Sequence, residues 1–146
     1  MELRVRMTRE RLELLTDLTP AARSVAERIL SDAEGLSRST AEALLHGDLH
    51  VRHVLVDRDE LSGVIDWGDV CVGDPAIDLL FVWSVLPPEA REAFFEVYGP
   101  IDEPTRLRAR VLAIMLSTVL ALYARDRGLA ALERESVAGL ARALVD

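Results

Sequence analysis

The residues of this chain whose types and spacing could do chemistry together lie between Leu44 and Leu80. The densest stretch, Leu44–Asp57, reads LLHGDLHVRHVLVD and contains His46, His50 and His53, all the histidines of the sequence. Asp48 stands within it, and Asp66 follows in Gly63-Val64-Ile65-Asp66-Trp67-Gly68. Between the two aspartates, the short β-branched runs His53–Asp57 and Ser62–Trp67 flank a polar turn, Arg58–Leu61, a pattern that predicts a hairpin. Folding it back on itself would bring both carboxylates into one site. Such a pair suits phosphoryl transfer from ATP, in which one carboxylate orients and deprotonates an acceptor hydroxyl and oxygen ligands hold Mg²⁺ against the phosphates.

The elements that must position these residues read as helices. Glu2–Leu18 carries Val5, Leu12 and Leu15 at helical spacing. Thr19-Pro20 breaks the chain, and Pro20 opens a second helix, Ala21–Ala33, which Gly35 ends. Ser39 and Glu42 match a capping box for a short turn. Asp74 as cap and Pro75 in the first turn start a helix through Leu86. Further helices are expected over Glu89–Tyr98, Glu103–Arg127 and Leu129–Val145, with Gly128 stopping the long one. On that helix Leu107, Val111, Ile114, Met115, Thr118 and Leu122 form a core stripe, while Glu89, Glu92 and Glu96 form a solvated acidic face on the helix before it. The expectation is one mainly α domain over residues 1–146 with a small β-hairpin in its middle.

Two motifs sharpen this reading. His46-Gly47-Asp48 followed by His53 has the spacing of the kinase catalytic loop, where an Asp precedes a metal-binding Asn by five positions, and Asp66-Trp67-Gly68 resembles the kinase Asp-Phe-Gly. The whole run, HGDLHVRHVLVD and then GVIDWGDVCVGDPAIDLL, resembles the aminoglycoside phosphotransferase family, whose usual pattern is close to HGDLHPGNVLVD and IDWxxxxxGDPxxDLA. The resemblance is close over Leu44–Leu80 and looser over the helices that follow. It implies the C-terminal lobe of the protein-kinase-like fold. It also implies ATP- and Mg²⁺-dependent transfer of the γ-phosphate to a hydroxyl of a small molecule, an antibiotic or a metabolite. By resemblance, Asp48 is the catalytic base, Asp66 the main Mg²⁺ ligand and His53 the second metal-binding position. Asp78 falls where the family keeps an Asp that braces the backbone of the catalytic loop, and His46 packs behind that loop. Asp74 is read as a helix cap, His50 as a locally satisfied loop histidine, and Trp67, Trp83 and Cys71 as core residues.

The sequence departs from the family pattern in two places. His stands at position 53 where the pattern has Asn, and an imidazole nitrogen suits hard Mg²⁺ less well than an amide oxygen. Histidine here is similar to branches resembling macrolide phosphotransferases, which moves the expected acceptor away from aminoglycosides. The second departure is upstream. Only 43 residues precede Leu44, they read as helices, and all 17 basic residues of the chain are Arg. The family's nucleotide lobe is a five-stranded sheet with a phosphate-holding Lys, so the expectation is a C-terminal lobe with the N-terminal nucleotide lobe absent.

Composition closes other routes. A net charge of −8 argues against nucleic acid as a partner. The single Cys71 excludes an internal disulfide and a cysteine-built zinc site. Neither His-Glu-x-x-His nor Gly-x-Ser-x-Gly occurs, and a P-loop would need a Gly-Lys pair. Met1–Glu13 is rich in Arg and Glu, unlike a signal peptide, and apolar stretches such as Val111–Leu122 are too short or too interrupted to span a bilayer. A cytoplasmic protein with no membrane partner is expected. The alternative function is a non-catalytic remnant lobe that binds a ligand or partner. Either way an apolar patch is expected beside the hairpin, available for self-association or for a missing N-lobe.

Overall fold

A computed structural model describes residues 1–37 and 39–145. Two helices lead, α1 (Glu2–Leu14) and α2 (Pro20–Asp32). Thr19 caps α2 by accepting the Ala22 amide at 3.2 Å, and Pro20 takes the first helical position, where its missing N–H costs nothing. Four short strands follow: β1 (Ala43–Leu45), β2 (Val54–Asp57), β3 (Glu60–Val64) and β4 (Cys71–Gly73). The rest is helical: α3 (Ala76–Ser84), α4 (Arg91–Tyr98), α5 (Glu103–Asp126) and α6 (Ala130–Ala143). The mainly α architecture expected from the pattern is therefore observed.

The core sits around α5, which packs on α1, α3 and α6. Val5, Leu30, Val82, Trp83, Val111, Ile114 and Leu140 are fully buried there. By length and composition alone α5 could cross a membrane, but its apolar face is spent on this core. The arginines have a structural use at helix C-termini, where unpaired carbonyls need donors. Arg23 donates to Leu12 O and Leu15 O at the end of α1. Arg142 donates to Ser84 O at the end of α3, and Arg91 and Arg110 donate to carbonyls between Arg142 and Val145 at the end of α6. A guanidinium fork reaches two carbonyls at once, which an ammonium does less well.

The hairpin is β2–β3, antiparallel, with Val54 opposite Val64 and Asp57 opposite Glu60. Its turn is shorter than expected. Only Arg58 and Asp59 lie outside the strands, both with positive φ (50° and 65°), the geometry that matches the twist of a two-residue hairpin loop. A second antiparallel pair, β1–β4, sets Leu45 opposite Cys71 and Ala43 opposite Gly73. It was not foreseen, because each strand has three residues and its partner is distant in sequence. That pairing also overturns the capping box at Ser39–Glu42. Ser39 Oγ does accept the Ala41 amide at 3.1 Å, but Ala43 begins a strand instead of a helical turn.

Two core assignments are corrected. Cys71 is exposed together with Val70 and Val72, since β4 is paired to β1 but its faces are open. Trp67 is 57% exposed. Leu44 (76%), Leu61 (69%) and Val56 (64%) are exposed as well, so the strands carry several large apolar side chains in solvent.

Candidate active site

The two strand pairs frame two loops. Residues 46–53 run from β1 to β2 and residues 65–70 from β3 to β4. Because β1 pairs with β4 and β2 with β3, both ends of the two loops are held side by side. Three direct ties then join them. Ile65 N–H donates to His53 O at 2.9 Å, and His46 Nε2–H donates to Ile65 O at 2.8 Å. Gly47 lies directly against the Asp69 carbonyl. The Trp67 indole rests on the His46 ring, centroids 4.7 Å apart, and its N–H donates to Val64 O at 2.9 Å.

Helix α3 holds the first loop from below. The Asp78 carboxylate, in its first turn, accepts His46 N–H at 2.6 Å and Gly47 N–H at 3.0 Å. Asp74 accepts the Ala76 amide at 3.0 Å and pairs with the buried Arg108 at 2.8 Å, so it both caps α3 and ties it to α5. His46 Nδ1 accepts Asp48 N–H at 3.3 Å, which is the tautomer its other bond requires.

The ring protons follow from the same accounting. A carbonyl only accepts, so the 2.8 Å contact between His53 Nδ1 and Asp48 O puts the proton on Nδ1. His53 Nε2 then presents its lone pair to Asp66 Oδ2, 3.4 Å away. Two acceptors facing each other at that distance repel unless a cation or a proton lies between them. The donor set therefore fits a divalent cation, with the carboxylate as its hard ligand and the imidazole as its softer one. Asp66 takes left-handed backbone angles (φ 64°, ψ 55°), a conformation non-glycine residues enter at a cost and one that recurs at functional sites.

His50 is satisfied locally, as expected of a loop histidine, and it also stands beside Asp48. Its Nδ1 accepts Arg52 N–H at 3.2 Å, so neutral His50 carries its proton on Nε2, 3.6 Å from Asp48 Oδ2. Its ring stacks on His53 with centroids 4.0 Å apart. Burial, reinforced by the neighbouring His53, pushes its pKa below the ordinary histidine value. Potential ligand atoms of Asp48, His50 and His53 cluster within 4.8 Å. However, His50 Nε2 and His53 Nδ1, the ring nitrogens 3.6 and 3.7 Å from Asp48 Oδ2, both carry protons and so do not act as fellow metal ligands.

Asp48, His53, Asp66, His46 and Asp78 are thus gathered at one place. Asp48 and Asp66 are accessible, with side chains 45% and 64% exposed, while His53 is nearly buried between them. Asp48 also lines a cleft of about 180 Å³ between α1, α3 and α5, which includes Arg4, Leu112 and Met115. No motif announced those residues, because each lies far from Asp48 in sequence.

Comparison with known proteins follows the same lines. Residues 2–112 match the model of the phosphotransferase enzyme family, APH. The viomycin phosphotransferase of Streptomyces vinaceus is 32% identical over 122 residues, covering 81% of this chain and 42% of the relative. A macrolide 2′-phosphotransferase type I of known structure superposes with a TM-score of 0.53 at 25% identity, covering 97% of this chain and 47% of the other. The apoenzyme of a macrolide 2′-phosphotransferase from Brachybacterium faecium aligns at 30% identity and a TM-score of 0.48, covering 93% of this chain and 46% of the other. The chain spans less than half the length of each of these relatives.

Proposed function

Since the chain belongs to the phosphotransferase enzyme family and has the fold of its kinase-like C-terminal lobe, we propose that it supplies the catalytic half of an ATP-dependent small-molecule O-phosphotransferase. The observation that carries this is the convergence on His53. One ring nitrogen, Nδ1, holds the Asp48 backbone at 2.8 Å, and the other, Nε2, meets the Asp66 carboxylate at 3.4 Å.

The roles follow from position. Asp48 orients the acceptor hydroxyl and takes its proton as the oxygen attacks the γ-phosphorus, the bond from that phosphorus to the β,γ-bridging oxygen breaks and ADP leaves. The His50 and His53 rings flank that carboxylate, with ring nitrogens 3.6 and 3.7 Å from its Oδ2. Asp66 and His53 hold Mg²⁺, which when bound offsets the charge of the β- and γ-phosphates. Asp78 and His46 fix the loop so that these groups keep their spacing. The acceptor is a hydroxyl-bearing small molecule; the relatives are named as phosphotransferases of viomycin and of macrolides. The remaining phosphate contacts come from a nucleotide-holding segment or partner, which we place on the exposed strand face of Leu44 and its cross-strand partner Val72.

That same open face favours a second reading, a lobe that binds a ligand or partner without catalysing transfer. One experiment separates the two. The chain is assayed with Mg²⁺ and γ-labelled ATP against a panel of hydroxyl acceptors, alone and fused behind the nucleotide-binding half of the viomycin enzyme. Transfer that appears in the fusion and disappears in Asp48→Asn supports catalysis. A folded fusion that transfers nothing, or transfer that survives Asp48→Asn, refutes it.

A further inference from the structure

The cleft beside Asp48 says which kind of hydroxyl it receives. Helix α3 lends it Ile77 and Leu80, and α5 lends Leu112, Met115 and Leu116, at the spacing of one helical face. Met115, read from sequence as part of the α5 core stripe, surfaces here: it and Leu116 are only partly covered, while Leu112 stays buried. The walls are aliphatic. Of the charged residues that line the cleft, one is the anion Asp48 and the other the cation Arg4, which is exposed on α1.

We infer that this cleft binds an acceptor alcohol with an apolar, uncharged face, and selects against polycations. The inference rests on the proposed role of Asp48 as the group that takes the acceptor proton. Three arguments support it. Pressing ammonium groups against leucine, isoleucine and methionine removes their hydration without return. A polycation needs several carboxylates, and among the described residues Asp48 alone supplies one to the cleft lining, where its proposed task is to meet the reacting hydroxyl. Arg4 adds a repulsive charge at the cleft, and would instead favour a neutral or singly anionic ligand. The acidic stripe that might have served a cation is elsewhere: Glu92 and Glu96 line a separate hollow with Arg91 and Arg106.

The test uses the chain as it stands and needs neither nucleotide nor metal. With ¹³C-labelled methyl groups, n-octyl β-D-glucoside below its micelle concentration is titrated against kanamycin, a hydroxyl-rich polycation. The glucoside is expected to shift the Ile77, Leu112, Met115 and Leu116 methyl signals and to bind at least about tenfold tighter, a difference of roughly 1.4 kcal/mol. Arg4→Glu, an exposed substitution that leaves the core untouched, is expected to narrow that preference. Kanamycin binding equally or more tightly, or a glucoside that moves none of these methyl signals, overturns the inference. Failure of phosphoryl transfer with the preference intact would refute only the catalytic reading, and loss of the preference with transfer intact would refute only this one.

Discussion

Gly47 sits so close to Asp69 that a Cβ built on it would lie 2.2 Å from the Asp69 carbonyl oxygen. Its φ of +87° is also one that side chains rarely accept. One glycine therefore lets the loop bearing Asp48 touch the loop bearing Asp66. Gly47→Ala is expected to destabilise the protein by roughly 2–5 kcal/mol, combining left-handed strain with overpacking. Urea unfolding measures it, and a variant as stable as the parent would show that the two loops are not in contact.

Asp78 satisfies two loop amides with one carboxylate, at 2.6 and 3.0 Å. Asp78→Ala leaves the His46 and Gly47 N–H groups without their acceptor, at about 1–3 kcal/mol for each. Asp78→Asn keeps one acceptor oxygen and should fall between Ala and the parent. Amide exchange at His46 and Gly47 should quicken in the same order, and unchanged exchange in Asp78→Ala would contradict the bracing geometry.

His50 predicts a pH dependence. Its folded pKa is lowered, chiefly by burial, so the unfolded chain takes up the proton first as pH falls. Stability is therefore full above the unfolded value, about 6.5, and declines as pH drops through it toward the folded value. His50→Gln removes that contribution. Urea midpoints at pH 7.5 and 5.5 should separate less in the variant than in the parent, and an equal separation would assign the acid sensitivity elsewhere.

The pair Asp66 and His53 predicts metal selectivity. Asp66→Asn should weaken Mn²⁺ binding by at least about tenfold. His53→Asn replaces an imidazole nitrogen with an amide oxygen and retains an N–H for Asp48 O, so Mg²⁺ should bind more tightly and Zn²⁺ less. Calorimetric titration of the three ions decides the matter. Unchanged Mg²⁺ and Zn²⁺ affinities in both variants would place the cation away from this pair.

Cys71 is exposed on β4, so the native chain should react with Ellman's reagent at a rate close to that in urea. A strongly protected thiol would mean that something covers the strand face.

The sequence by itself determined the helices and the family. Helical spacing of apolar residues and Pro20 after Thr19 are local signals, and helices form where they point, although α1 ends at Leu14 and not at Leu18. The spacing of Asp48, His53, Asp66 and Asp78 was legible for the same reason, since short loops between strands fix distances along the chain. What only the tertiary structure decided lies across the chain. The β1–β4 pair joins segments separated by the whole hairpin, and it alone turns Ser39–Glu42 from a helix start into the approach to a strand. Side-chain rotation and long-range packing brought His50 to Asp48, exposed Trp67 and Cys71, and set Arg4, Leu112 and Met115 around the cleft. Those outcomes depend on which surfaces meet once the helices have packed, and no local pattern of residue types encodes that.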